Sequence, residues 1–250
     1  GCRVFLGDSN VEAFPVEQAF RGLGRDTWTT RSVAVNRGSS GERIEDVMER
    51  LDLCVRDLQP KELYLLIGTN DIWWVQTDYQ DGNLGAGYER LVRSIKELSP
   101  QTVLYLQTLP PIDYWGEPFG AHSFEECRVW VDRANTQLRE VAAKYGCRLI
   151  DLHALVSTPD GRMIRRYSTD GVHLSLLGYL RWLDEILPPG REKRRVWANL
   201  SGQLTDETSA TLSEGADSPQ MIYEKKRADW MRKVHAGSLS PDDESAYRDV

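Results

Sequence analysis

A chain of 250 residues, 40% hydrophobic and 28% charged, has material for one sizeable α/β domain and lacks the composition of a fibrous or wholly disordered polymer. Its 31 basic and 38 acidic residues leave a formal charge of -7, which argues against binding a polyanion over the whole surface and against nucleic acid as a partner. No apolar run approaches the ~20 residues of a bilayer span, so no membrane span is expected.

Apolar runs suited to buried strands recur at Val4 to Leu6, Ser32 to Val35, Leu63 to Ile67, Val103 to Gln107 and Arg148 to Leu152. The segments between them read as helices. Ile44, Val47, Met48, Leu51, Leu53, Val55 and Leu58 give one apolar face between the second and third runs, with Ser40 or Glu42 near its start and Pro60 beyond its end. Gly87 to Leu98 behaves in the same way, as does Phe124 to Tyr145, where Val129, Val131, Leu138, Val141 and Ala142 form the face and Gly146 ends it. Ser175 to Leu187 reads as a further helix stopped by Pro188 and Pro189. This alternation predicts an α/β fold built on a parallel sheet with crossover helices.

From Gly190 the strand pattern is gone and Ser, Thr, Asp and Glu dominate Ser201 to Pro219. The expected organisation is therefore a domain over residues 1–189 and a polar C-terminal extension over 190–250. That extension carries one expected helix over Pro219 to Ala236, with Met221, Ile222, Trp230, Met231 and Val234 as its apolar residues. Such a weakly amphipathic helix would dock on its own domain or on a second copy of the chain, making a homo-oligomer one expected arrangement. Recruitment to an anionic membrane surface through Arg191 to Arg195 and Lys225 to Lys233 is a further reading.

Cys2, Cys54, Cys127 and Cys147 show neither CxxC spacing nor neighbouring histidine clusters, so no zinc site or disulfide framework is expected. They read as mostly buried thiols. The N-terminus lacks the basic and apolar regions of a signal peptide, but a strand begins at once, so an export leader removed upstream is compatible with it and the compartment stays open. Gly1-Cys2 has the look of a lipoprotein cleavage stub without the flexible tether that usually follows a lipidated cysteine.

Four blocks fall at expected strand ends. Gly7-Asp8-Ser9 puts a hydroxyl in the turn after the first strand, where the crevice of an open α/β sheet lies. Asn36-Arg37-Gly38-Ser39-Ser40-Gly41 follows the second strand, with glycines that let backbone N–H groups approach a ligand. Gly68-Thr69-Asn70-Asp71 follows the third and offers an amide donor, and Asp170-Gly171-Val172-His173 precedes the last helix of the domain. Taken singly, each reads as an ordinary turn, a helix cap or a satisfied polar residue. Together they supply a nucleophile (Ser9), a base (His173) and the carboxylate to orient it (Asp170).

The ordered set resembles the SGNH, or GDSL-type, serine esterase and acylhydrolase family, from about Arg3 to Pro188. The resemblance implies a flavodoxin-like three-layer α/β/α sandwich with a mostly parallel five-stranded sheet and no cofactor or metal. It implies that Ser9 attacks an acyl carbonyl, that His173 takes and returns its proton, and that Asp170 orients the imidazole. The N–H groups of Ser9 and Gly38, with the Asn70 side chain, would form the oxyanion hole. Asp8 and Asp71 are structural by the same resemblance.

Trp73, Trp74, Tyr114 and Trp115 lie on loops expected to overhang Ser9, where rings would stack on a sugar or line an acyl groove, or else close the core at a loop end. The expected substrate is a small-molecule or carbohydrate ester, above all a short acyl group such as acetyl on a sugar. Lysophospholipid or thioester hydrolysis is the alternative, and a non-catalytic acyl-glycan-binding or scaffolding module is a second one.

Overall fold

The structure, a computed structural model, describes residues 2–23, 34–73, 81–115 and 122–212, with side chains described through residue 201. Five strands, β1 (Arg3–Gly7), β2 (Ala34–Gly38), β3 (Glu62–Leu66), β4 (Val103–Gln107) and β5 (Arg148–Ile150), form one sheet in the order β2-β1-β3-β4-β5. Every pairing is parallel, so the fold is the expected α/β type. Val4, Phe5 and Leu6 are fully buried, as a strand covered on both faces and flanked by two others requires. In-register pairing brings Phe5, Tyr64 and Tyr105 to one face as a stack, with ring centroids 4.7 and 4.5 Å apart.

The chain leaves β1 for a neighbour on each side, β2 and β3, so the strand order reverses there. The same register levels the carboxyl ends, pairing Gly7 with both Gly38 and Leu66. Residues just beyond those ends share the crevice at the switch point, where ligands of open α/β sheets bind.

Helices α1 (Ser9–Glu12) and α2 (Val16–Ala19) follow β1, and α3 (Ile44–Glu49) follows β2. The face expected from Ile44 through Leu58 holds only in part. Regular helix ends at Glu49 and a π-helical turn takes Asp52–Arg56; Leu53, two residues after Leu51 and so on the opposite side, is 66% exposed while Leu51, Cys54 and Val55 stay buried. Next come α4 (Thr69–Trp73), α5 (Gly85–Leu98) and α6 (Phe124–Tyr145). On α6 the buried stripe runs through Cys127, Val131, Leu138 and Ala142, and Val129 lies off it at 49% exposure, a second correction to the expected faces.

The run expected at Ser32 to Val35 begins at Ala34 among the described residues and continues through Gly38, so Asn36 and Gly38 are strand rather than loop. After β5, Asp151 caps α7 (Leu152–Val156), which makes Leu152 helical. A 3₁₀ turn (Arg165–Tyr167) and the bridge from Ser168 to Leu174 then lead into α8 (Leu176–Ile186).

A final helix, α9 (Arg191–Leu212), begins just past the expected boundary near residue 189. Its first turns belong to the compact unit Gly1–Leu200. Val196 and Leu200 are fully buried, Trp197 Nε1 donates to Asp184 at 3.0 Å, and Asn199 donates to the Ala19 carbonyl at 2.9 Å. Of the second unit, Ser201–Val250, the described residues continue α9 to Leu212, and the helix expected over 219–236 lies outside them. Cys54 and Cys127 are buried and Cys2 and Cys147 partly so, all as free thiols. No described helix is long and apolar enough to cross a membrane.

Candidate active site

Asp8 closes the turn after β1 by capping α1, its Oδ1 accepting the Asn10 N–H at 3.0 Å. Ser9 is thereby fixed as the first residue of α1, with its backbone N–H unbonded among the described residues. Asn10 does what the sequence reading missed. It is 1% exposed, donates to the Val172 carbonyl at 3.2 Å and accepts from the Leu174 N–H at 2.9 Å, so one amide grips the backbone on both sides of His173. An asparagine directly after the serine was the available signal, and its burial is not legible in a sequence.

That grip brings His173 to Ser9. The Ser9 hydroxyl lies 2.9 Å from His173 Nε2, and His173 Nδ1 lies 2.6 Å from Asp170 Oδ2. Asp170 Oδ1 accepts the N–H groups of Val172 and His173, each at 2.8 Å. Burial works to push the Asp170 carboxyl up, but the charge of His173 and these hydrogen bonds outweigh it and hold the group below the usual carboxylate range. An ionised Asp170 takes the Nδ1 proton as a hydrogen bond, leaving the Nε2 lone pair for the serine hydroxyl. The three residues expected to work together are therefore in contact.

Gly171 makes their loop possible. Its φ is +95°, and a Cβ there would lie 1.8 Å from the Asp113 carbonyl oxygen. The neighbouring strand-end segment is sewn to this loop, with Asp113 N–H donating to Gly171 O at 3.0 Å and Trp115 N–H to Asp170 O at 2.8 Å.

Across the crevice, Asn70 in α4 donates one Nδ2 hydrogen to the Glu42 carbonyl at 2.9 Å and keeps the other. Asp71 accepts the Ile44 N–H, and Glu42 pairs with Arg50, which also donates to the Arg37 carbonyl at 2.9 Å. The loop after β2 is thus tied at several points to the ends of β2 and β3. Burial pushes Asp71 up to about 7 and the fully buried Asp8 up to about 6. Asp8 Oδ2 and Thr69 Oγ1 are buried without hydrogen-bond partners among the described residues.

Gly38 does not fit the donor role expected of it. Its N–H donates to Asn36 Oδ1 at 2.7 Å, and a Cβ there would lie 2.0 Å from the Glu12 nitrogen. Gly38 is a contact point where β2 meets α1, and Asn36 locks that contact by donating to the Val11 and Phe14 carbonyls at 2.7 and 2.9 Å. Gly41, in the same block, has φ +80°, open space at its Cβ position, and an N–H without a partner among the described residues. It stands one residue from the Glu42 carbonyl that holds Asn70.

Three of the four aromatic residues singled out are placed around this centre. Trp73 ends α4, three residues after Asn70, and packs edge-to-face on Tyr114 at 5.7 Å. Trp115 has its Nε1 2.9 Å from where a Gly171 Cβ would stand. Trp74 lies outside the described residues. Among the described residues no group of His, Cys, Asp and Glu side chains is placed to hold a metal ion.

No curated protein matches the chain. Among solved structures it is similar to a Streptococcus pneumoniae protein provisionally assigned as a platelet activating factor, at 25% identity and TM-score 0.56, over 81% of this chain and 83% of that one. It is similar to a GDSL-like lipase from Bacteroides thetaiotaomicron at 17% identity and TM-score 0.61, over 74% and 84% of the two chains. An acetyl xylan esterase from Geobacillus stearothermophilus shares 19% identity at TM-score 0.52, over 79% of this chain and 93% of that one. These likenesses establish a common fold. The family model for GDSL-like lipases and acylhydrolases matches residues 5–181, a span that holds Ser9, Asn70, Asp170 and His173, and the chain accordingly belongs to the GDSL-like lipase/acylhydrolase family.

Proposed function

We propose that the protein is a serine carboxylic-ester hydrolase that removes short acyl groups, above all acetyl, from a carbohydrate through an acyl-enzyme on Ser9. The observation that carries this reading is the unbroken chain Ser9 Oγ, His173 Nε2, His173 Nδ1, Asp170 Oδ2, with contacts of 2.9 and 2.6 Å. A serine hydroxyl is a weak nucleophile until a base takes its proton, and an imidazole with an ordinary pKa of ~6.5 can accept and return one near neutral pH.

In the first half-reaction Ser9 Oγ bonds to the acyl carbon as its proton passes to Nε2. Collapse of the tetrahedral intermediate breaks the bond to the alcohol, which leaves with that proton. Water then attacks the acyl-enzyme with His173 again as base, and Ser9 is regenerated as the acid departs. The developing oxyanion needs donors, and three N–H groups without a partner among the described residues serve in this reading: the Ser9 N–H, the second Nδ2 hydrogen of Asn70 and the Gly41 N–H. Gly41 takes the place expected of Gly38 because the Gly38 N–H is already engaged. The rings of Trp73 and Tyr114 suit the face of a sugar. The acetyl xylan esterases that share the fold point to the same chemical class.

The test is a chain-length series of p-nitrophenyl esters, acetate through decanoate, run on the wild type and Ser9→Ala. Turnover that is lost in Ser9→Ala and falls steeply beyond the shortest acyl groups is expected. A maximum at long chains would turn the reading to lysophospholipids or thioesters. Ser9-independent turnover would remove the nucleophile assignment.

A further inference from the structure

The Trp115 indole stands against the Gly171 turn of the His173 loop, and its outer partner is a cation. The Arg165 guanidinium lies over the ring, 4.8 Å from its centroid. Arg165 is exposed and has no carboxylate partner among the described residues, in a chain with a net charge of -7 that could readily have supplied one. Its neighbours differ. Arg162 is paired with Asp113 at 2.9 Å and lies on the Phe124 ring, and Arg166 lies on Tyr167 and donates to its hydroxyl at 3.1 Å. Arg165 is therefore a cation seated over an aromatic ring, with its N–H groups unspent among the described residues, five residues before Asp170.

We propose that Arg165, held on Trp115, reads a carboxylate on the sugar that bears the ester, so that the preferred substrates are O-acylated acidic sugars. This rests on the sugar-esterase reading above and specifies its substrate class. The ring holds the cation in place, and the planar fork of two guanidinium N–H groups matches a carboxylate edge to edge. A phosphate more often gathers several cations or a helix N-terminus. The surrounding cations here are neutralised by Asp113 or turned onto Tyr167. The Trp73 and Tyr114 pair, Tyr114 being the residue before Trp115, supplies rings for the sugar itself.

The experiment compares peracetylated glucuronic acid with its methyl ester, two substrates that differ by one charge. For the wild type kcat/KM is expected to be about tenfold higher for the acid, with the gap closing at about 0.5 M salt. Arg165→Ala should bring the ratio to about one while p-nitrophenyl acetate turnover is unchanged. Arg165→Lys should keep part of the preference, since the charge survives without the fork. Equal turnover of acid and methyl ester by the wild type, or a preference that survives Arg165→Ala, would overturn the proposal. So would a charge preference confined to acyl glycerophosphates. Failure of the esterase reading is separately visible as the absence of Ser9-dependent p-nitrophenyl acetate hydrolysis. In that event tryptophan fluorescence still decides: glucuronate binding tighter than methyl glucuronate, lost in Arg165→Ala, supports the carboxylate site, and equal binding removes it.

Discussion

Gly38 and Gly41 stand three residues apart and answer to different constraints. Alanine at 38 would drive its Cβ into the backbone of α1, so Gly38→Ala is expected to destabilise by about 1–3 kcal/mol or more, read by chemical denaturation. Alanine at 41 meets open space but a φ of +80°, so Gly41→Ala should fold with a smaller loss while turnover falls. Asn70→Ala should cut kcat by ~10²- to 10³-fold, as expected when one oxyanion donor is removed. The triad was legible because a hydroxyl, an imidazole and a carboxylate in those blocks have few other reasons to share strand ends. The choice between two glycines was not, since a sequence does not show where an N–H already points. Asp8 makes a further prediction about pH. Its carboxyl, raised to about 6 by burial, holds in the fold a proton that the unfolded chain surrenders near pH ~4, so its contribution is full at low pH and is lost as pH rises toward neutral. The difference is about 3 kcal/mol by linkage. Asp8→Asn should flatten the fall in melting temperature between about pH 4 and 6, and an unchanged slope would refute it. Asp170, held low, acts in the opposite sense and gives up its stabilisation only as pH falls through its lowered pKa.

Among the elements, α6 was readable almost to the residue because its ends are chemical. Ser123 accepts the Glu126 N–H while the Glu126 carboxylate returns to the Ser123 N–H, and Gly146 ends the helix at φ +62°. Ser123→Ala should cost about 1 kcal/mol, measurable as a shift in the urea midpoint. The helix after β2 was misread at Leu53 because residue type was followed over position: at 3.6 residues per turn Leu53 falls opposite Ile44, Leu51 and Val55, and it is exposed while they are buried. That distinction can be measured in one series: Leu51→Ala should cost about 2–5 kcal/mol, and Leu53→Ala, at 66% exposure, no more than about 0.5. β2 was placed short for a similar reason, because Asn36 and Gly38 carry loop chemistry yet pair in register with Phe5 and Gly7.

At the scale of the whole molecule, the change of composition at Gly190 marks a change of surface rather than the end of packing. Val196 and Leu200 bury fully, and Arg3 of β1 pairs with Glu192 as well as Glu62. Ending the chain after Pro189 should therefore remove several kcal/mol and lower the melting temperature on the order of 10 °C. Calorimetry of the truncated and the full chain measures that shift. The strand order also bears on synthesis. Of the five strands β1 is made before the others, yet it lies between two partners that are made later, and Ser9 precedes His173 by 164 residues. A growing chain therefore holds its nucleophile well before it holds His173, the base that takes the serine proton, so Ser9 can be activated only after most of the domain has been made.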